Sequence, residues 1–357
     1  MQSRVVSVGE TDTAFAARWR ALEDVATAEN PFYSADFLRA AATHLPSARG
    51  MRLLVGENDG ELGWLIPLVP SRRLLTLPVV GGLRNRWPHV FFGQPLVAPG
   101  CESEAADHLL AHLSERRAAR WLRLHYLDAD DAFTRALLRG VDPARVQVER
   151  YTRGWAVRRA DPTYLEGHSN LRRLSRKRRA FERETGEVLR VLDRSDDPAA
   201  LEEFLVLEAS GWKGREGRAF LATTWDAAFL RQVADAFRRR GQLQLWSLQS
   251  GAHTLAMKLN LVTRSTMFCY LIAYDEKVAA LSPGLQLEVE NFDLFHSAAD
   301  VHQMDSCATP DNGFVNRLYP EQRALLSVLI GSGVAGRAVT SLAAVRAGQR
   351  APSRHRS

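Results

Sequence analysis

The 357-residue chain is poor in the residues that build the most recognisable sites. Its three cysteines, Cys101, Cys269 and Cys307, are odd in number and none stands at metal-ligand spacing. That pattern argues against a disulfide framework and a cysteine-built metal site, so reduced thiols in a cytoplasmic protein and no metal are expected. No apolar run approaches the roughly 18 residues of a membrane span. The opening MQSRVVSVGETDTAF lacks the apolar core of a signal peptide. P-loop and dinucleotide fingerprints are missing. His44, His108 and His112 are scattered over helical patterns, form no triad with a serine, and read as structural or solvated. Net charge is also scarce once it is located. Arg337, Arg346, Arg350, Arg354 and Arg356 lie beyond residue 330 in a stretch without acids, leaving 42 basic against 41 acidic side chains elsewhere. A near-neutral body argues against a dedicated nucleic-acid binder.

What the chain does have is organised around 243–307. The runs LQLWSLQS, HTLAMKLNLVT and STMFCYLIAYD follow one another across gaps of two or one residues, so they predict an antiparallel meander. In the middle run Leu255, Met257, Leu259 and Leu261 alternate with Ala256, Lys258 and Asn260, the period of a half-buried strand. The third run is apolar on both faces and predicts a central strand. Ser282-Pro283-Gly284 then reads as a helix entry, and VHQMDSCA (301–308) returns to extended structure. A helix start beside a sheet is an anion site, because its first amides lack partners and its dipole favours negative charge.

The first half predicts a helix at 12–28, and another after Ser34 with Phe37, Leu38, Ala41 and Leu45 as its buried stripe. A hairpin of 52–57 and 61–69 meets at Asn58-Asp59-Gly60, with short strands near 74–79 and 89–92. Helix 102–118, strand 121–126, helix 131–138 and strand 146–151 complete an α/β unit without a convergent set of titratable groups. It reads as structural or substrate-shaping. After a connector at 152–165 comes SNLRRLSRKRRAFERETGE, in which Arg172, Arg173, Arg176, Lys177, Arg178, Arg179 and Arg183 crowd one helix. Its readings are a solvated face, a grip on a phosphorylated or polyanionic ligand, and RNA contact. Helices at 196–210 and 224–239 flank GWKGREGRAF, and Gly241 fits a C-cap. The run 324–330 is the last apolar piece before the basic tail at 331–357, whose end is expected to be disordered.

NPFYSADFLRAA, ELGWLIPLVPSRR, LRRLSRKRRAFERETG, LEASGWKGREGRAF, AYDEKVAALSPGLQL and MDSCATPDNGFVNRLYPE stand in the order of a bacterial family. On these motifs the chain resembles the CelD-like, FemAB-related branch of the GNAT acyltransferase superfamily over about residues 28–330. The resemblance implies an α+β (α/β) fold of two tandem GNAT-like domains, each a mixed, mostly antiparallel sheet flanked by helices. They would be 1–151 and, with the donor site, 166–330. It implies transfer of an acyl group from acyl-CoA (acetyl-CoA) to the amine of a small molecule or saccharide precursor. FemAB-type relatives use aminoacyl-tRNA instead, which keeps tRNA open as a partner; a non-catalytic binding protein is the third reading. Ser282-Pro283-Gly284 stands where GNAT proteins carry Q/R-x-x-G-x-G/A. The pyrophosphate contacts then fall on Lys277, Leu281, Ser282, Pro283, Gly284 and Leu285.

The chemistry sets the remaining candidates. A lysine-like amine at pH 7 costs about 4 kcal/mol to deprotonate, so a base, desolvation or both are needed. The leaving thiolate needs an acid and the carbonyl needs backbone amides. Asp305 is the first candidate base and Asp275 the second, each also readable as a capping or turn carboxylate. Tyr274 is the candidate acid, with Tyr270 the alternative. Trp212, Lys213, Tyr270, Asn316 and Arg317 are candidates for the acceptor pocket, with Trp212 equally readable as fold-stabilising and Tyr270 better read as aromatic core. Cys307 could relay the acyl group but reads more simply as a buried thiol, since direct attack needs no covalent intermediate.

Overall fold

Local signals start the elements. Asp12 accepts the Phe15 N–H at 2.7 Å and opens helix α1 (Thr13–Val25). Asp131 and Asp197 cap two later helices in the same manner, since a carboxylate there satisfies amides without a helical partner. The computed structural model describes residues 2–71, 81–115, 120–158, 169–333, 336 and 340. In chain order the elements are β1 (Gln2–Ser7), α1, α2 (Ala35–His44), β2 (Arg52–Asn58), β3 (Glu61–Ser71), β4 (Gly82–Arg84), β5 (Leu96–Val97), α3 (Glu102–Glu115), β6 (Trp121–Asp128), α4 (Ala132–Gly140) and β7 (Val146–Val157). Then come α5 (Ser169–Thr185), β8 (Leu189–Asp193), α6 (Pro198–Ser210), α7 (Trp212–Arg215), α8 (Thr224–Arg239), β9 (Leu243–Ser250), β10 (His253–Val262) and β11 (Thr266–Tyr274). A 3-10 turn (Glu276–Leu281), α9 (Pro283–Ser297), β12 (Gln303–Asp305), α10 (Gly313–Asn316) and β13 (Glu321–Gly331) follow.

The chain forms two compact units. One holds the described residues of 1–35, 47–151 and 324–357, the other those of 36–46 and 152–323. All of α2 beyond Ala35 therefore packs with the second unit, where Phe37 meets Phe229 edge-on at 5.1 Å.

In the first unit the sheet runs β1-β2-β3-β4-β6-β13, with β5 also on β3 and only β4–β6 parallel. Leu122, Leu124, Val328 and Ile330 share a core with Leu109, Leu113, Phe133 and Leu137 of α3 and α4. A Cβ on Gly82 would lie 2.0 Å from the Trp121 ring, so the β4–β6 pairing admits glycine alone there.

The second unit's sheet is β7-β12-β11-β10-β9-β8, with only β11–β12 parallel. The meander forms as expected, but β10 is not half-buried. Lys258 and Asn260 are 2% and 0% exposed, because α9 packs over the face that their alternation marked as polar. Strand β7 continues through the first residues of the expected connector. Residues 89–92 form no strand, and the strand expected at 74–79 lies outside the described residues. β8, within a charged stretch, had no legible alternation.

Candidate functional site

The central strand parts from its neighbour. β11 pairs with β12 at Thr266–Gln303, Met267–Met304 and Phe268–Asp305 only, yet it continues to Tyr274, about 20 Å further on. Just past the last pair the β10 register slips, so that Cys269 and Tyr270 together oppose Asn260. Such a bulge bends a strand and re-aims its side chains. At the far end the Asp275 N–H bonds to Leu255 O at 2.8 Å. By antiparallel alternation the backbone groups of Ile272 and Tyr274 therefore point to the opposite edge, the one β12 has left.

A shallow cleft opens at this end, lined by Leu207, Glu208, Trp212, Lys213, Ile272 and Tyr274 among others. The Glu208 carboxylate is 4% exposed. One oxygen accepts the Phe220 N–H at 2.9 Å and the other accepts Lys213 Nζ at 2.8 Å. Lys213 Nζ also reaches Ile272 O at 3.5 Å, on the open strand edge. The Trp212 ring stays 37% exposed, with the Arg218 guanidinium 5.3 Å from its centre. Its backbone N–H is fixed by Glu276, which also pairs with Arg215.

Helix α9 begins against the same strand. A Cβ on Gly284 would lie 3.2 Å from the Tyr274 ring and 3.5 Å from Ile272. Ser282 adopts a left-handed φ of 59° and caps the helix without a side-chain bond to it. Its hydroxyl instead accepts Lys177 Nζ of α5 at 2.7 Å. The expected crown of unpaired amides is thin. Pro283 has no N–H, and the Leu285 and Gln286 amides both bond back to Ser282 O at 3.0 Å. That leaves the Gly284 amide, the Ser282 hydroxyl and the Lys177 ammonium as the groups suited to an anion. Lys277 is exposed, with its backbone N–H on Asp275. Leu281 and Pro283 are buried and Leu285 packs partly into the core, so these contribute backbone only.

Several expected roles change. Asp305 is 0% exposed, bonded to Arg153 at 3.2 and 3.4 Å and lying 3.5 Å from Arg323. It also accepts the Cys307 N–H at 2.8 Å. A carboxylate so enclosed tethers β12 to β7 and the chain after it; an acceptor amine has no access to it. Asp275 caps the 3-10 turn through the Lys277 N–H and meets His253 Nε2 at 2.9 Å. Burial would raise its pKa, but these partners outweigh it and hold the carboxyl below its ordinary value, a turn former rather than a base. Tyr270 is 4% exposed with its ring against Phe37, so it is core. Asn316 is a buried clip that accepts the Gly154 N–H and donates to Thr309 O, while Arg317 is exposed beyond α10. Cys307 is 4% exposed at a left-handed φ of 49°, and burial pushes its thiol well up. Tyr274, Trp212 and Lys213 do converge, in the cleft.

The groups that sequence reasoning missed are Glu208 and a buried polar cluster under α9, whereas Lys177 was named only as one cation of the basic helix. Glu208 was legible as an acid on an otherwise apolar helix stripe. In the cluster Lys258 pairs with Glu288, Tyr319 OH donates to Glu288 at 2.5 Å and touches Cys269 Sγ at 3.2 Å, and Asn260 donates to Asn291 at 2.7 Å. Only the three-dimensional packing of α9 brings these together. Among the described residues no group of acids, histidines and cysteines is arranged to hold a metal, and no helix is long and apolar enough to cross a membrane.

Residues 168–306 match a family described as an acetyltransferase (GNAT) domain. No curated protein matches the chain. Among solved structures it is similar to FemX, with 11% identity over 96% of this chain and 99% of that one and a TM-score of 0.58. It is also similar to the C-terminal domain of a putative lysylphosphatidylglycerol synthetase from Agrobacterium fabrum, with 13% identity, 92% and 96% coverage and a TM-score of 0.55. A conserved protein of unknown function from Bacteroides thetaiotaomicron shows 10% identity, 92% and 99% coverage and a TM-score of 0.53. Identities this low establish a shared fold. The domain match supports acyl transfer as the general chemistry.

Proposed function

Because residues 168–306 form a GNAT-superfamily domain within a fold shared with FemX, we propose that the chain is an N-acyltransferase whose acceptor amine attacks an acyl-CoA thioester directly. The observation that carries this reading is the parting of β11 from β12 at Phe268, with the start of α9 at the other end of the exposed edge. A donor lying along that edge would rest its diphosphate on Lys177, Ser282 and the Gly284 amide. Its pantetheine arm would follow Tyr274 and Ile272 toward the bulge at Cys269–Tyr270.

The acceptor enters by the cleft. Its ammonium takes the place of the Lys213 ammonium on Glu208, which first accepts one proton and so frees the nitrogen lone pair to attack the carbonyl carbon. The carbon–sulfur bond then breaks, the Tyr274 hydroxyl protonates the departing thiolate, and the second proton shed by the nitrogen returns to the tyrosinate. The Trp212 face, with its half-exposed ring, suits an amine carried on a sugar or another flat, weakly polar body. Thiol release from acetyl-CoA across a panel of amines and amino sugars tests the reading. Release dependent on one acceptor supports it; none with any acyl-CoA rejects it.

One observation favours aminoacyl-tRNA as the donor. Arg172, Arg173, Arg176, Arg179 and Arg183 are all exposed on α5, the helix that brings Lys177 to Ser282. Aminoacyl-tRNA binding that weakens steeply with salt, and that is lost when these charges are reversed, would select that donor.

A further inference from the structure

The first unit, in which the sequence showed no convergent titratable groups, gathers a basic cluster on one stretch of its sheet. Arg84 of β4 and Arg123 of β6 are direct partners in the parallel pairing, an arrangement of like charges that destabilises a sheet. His125 follows two residues on, its Nδ1 3.2 Å from Ser327 Oγ. Arg86 lies with its guanidinium 4.5 Å from the centre of the Tyr126 ring. All four are half-buried. The acid that answers them among the described residues is Glu149, half exposed and 3.5 Å from Arg123. Arg84 spends a bond on Ser47 O at 3.2 Å, and the buried Nε atoms of Arg84 and Arg86 have no hydrogen-bond partner among the described residues.

The cluster is also held rigidly. Asn85, between the two arginines and 1% exposed, accepts the His125 N–H at 2.8 Å and donates to Gly93 O at 2.9 Å. Its carbonyl accepts Tyr33 OH at 2.7 Å. Tyr126 and His89 stand at left-handed φ values of 58° and 77°, conformations that cost free energy for residues with a Cβ. Burial and the neighbouring guanidinium charges hold the Arg84 and His125 pKa values below their ordinary positions. Repulsion, strain and unbonded donors converge on one place that no element of the fold requires to be charged.

We propose that Arg84, Arg86, Arg123 and His125 form a binding site for the phosphoryl group of a small ligand. Three guanidiniums less one half-exposed carboxylate leave two positive charges, which a phosphate dianion matches and a single carboxylate does not. Guanidinium forks are the side chains best shaped to receive phosphoryl oxygens in pairs.

Titration calorimetry of the full chain with inorganic pyrophosphate tests this, alongside Arg86→Gln, Arg123→Gln and Lys177→Ala. The site predicts saturable binding that weakens at least about tenfold in each arginine variant and is retained in Lys177→Ala. It also predicts that the arginine variants melt no lower than the wild type without ligand, since each removes repulsion. No heat up to about 10 mM pyrophosphate, equal affinity in the arginine variants, or loss only in Lys177→Ala would overturn it. Acetate binding as tight as pyrophosphate binding would overturn the phosphoryl assignment.

Discussion

Lys258 and Glu288 face each other beneath α9 with 2% and 4% of their surfaces exposed. Removing one partner of such a pair strands a charge in the interior, whereas replacing both with apolar groups of similar volume is far milder. Lys258→Met or Glu288→Leu alone should therefore destabilise the protein by about 3–5 kcal/mol, and the double variant by clearly less. Denaturant unfolding of the three variants measures this; additive losses would mean that the two side chains do not act as a pair.

The thiols give a second expectation. Burial pushes Cys269 up to about 12. A thiol that resists ionising in the folded state contributes stability that is present below its unfolded pKa, about 8.5, and is lost as pH rises toward the folded value. Thermal midpoints should fall progressively from about pH 9 to 12, less so in Cys269→Ala. A thiol reagent on the native protein should modify Cys101 first, the partly exposed one, with Cys269 and Cys307 following only on unfolding.

His125 titrates at the opposite end. Burial, then Arg123, Arg86 and Arg84, hold its pKa well below the ordinary value. The unfolded chain therefore binds more protons below about pH 6.5, and stability should decline as pH falls through that range. His125→Gln should flatten this acid limb of the stability profile. An unchanged profile would mean that His125 protonates without cost.

At the cleft, Glu208→Gln removes the proposed proton acceptor while keeping the shape and the bond from the Phe220 N–H. Turnover should fall about 10²–10⁴-fold with donor affinity preserved, and the loss should shrink as pH rises and the free amine becomes abundant. Asp305→Asn, by contrast, should act through stability, because its partners are Arg153 and Arg323 rather than any substrate.

The meander, the Ser282-Pro283-Gly284 entry and most helices were legible because their signals are local: alternation, caps and glycine breaks. The errors share a physical origin. Alternation marked Lys258 and Asn260 as solvent-facing, yet a central strand is covered on both sides and can bury polar groups that satisfy one another. Asp305 looked available because an acid after an apolar strand is ordinarily exposed; Arg153, 152 positions away, was not visible from it. Glu208 announced itself by standing on an apolar stripe, but its partner Lys213 belonged to a glycine-broken loop read as a separate feature. The arginines of the first unit are spread over 40 residues and meet only through the β4–β6 register.

The central claim is that an acyl-CoA lies along the edge that β11 exposes, with its diphosphate at the start of α9. Calorimetric titration with coenzyme A, for the wild type, Lys177→Ala and Gly284→Val, tests it most directly. The account predicts saturable binding, weakened about tenfold or more by each substitution, at the ammonium and at the close approach to Tyr274 respectively. No binding at millimolar coenzyme A, or binding indifferent to both substitutions, would contradict it.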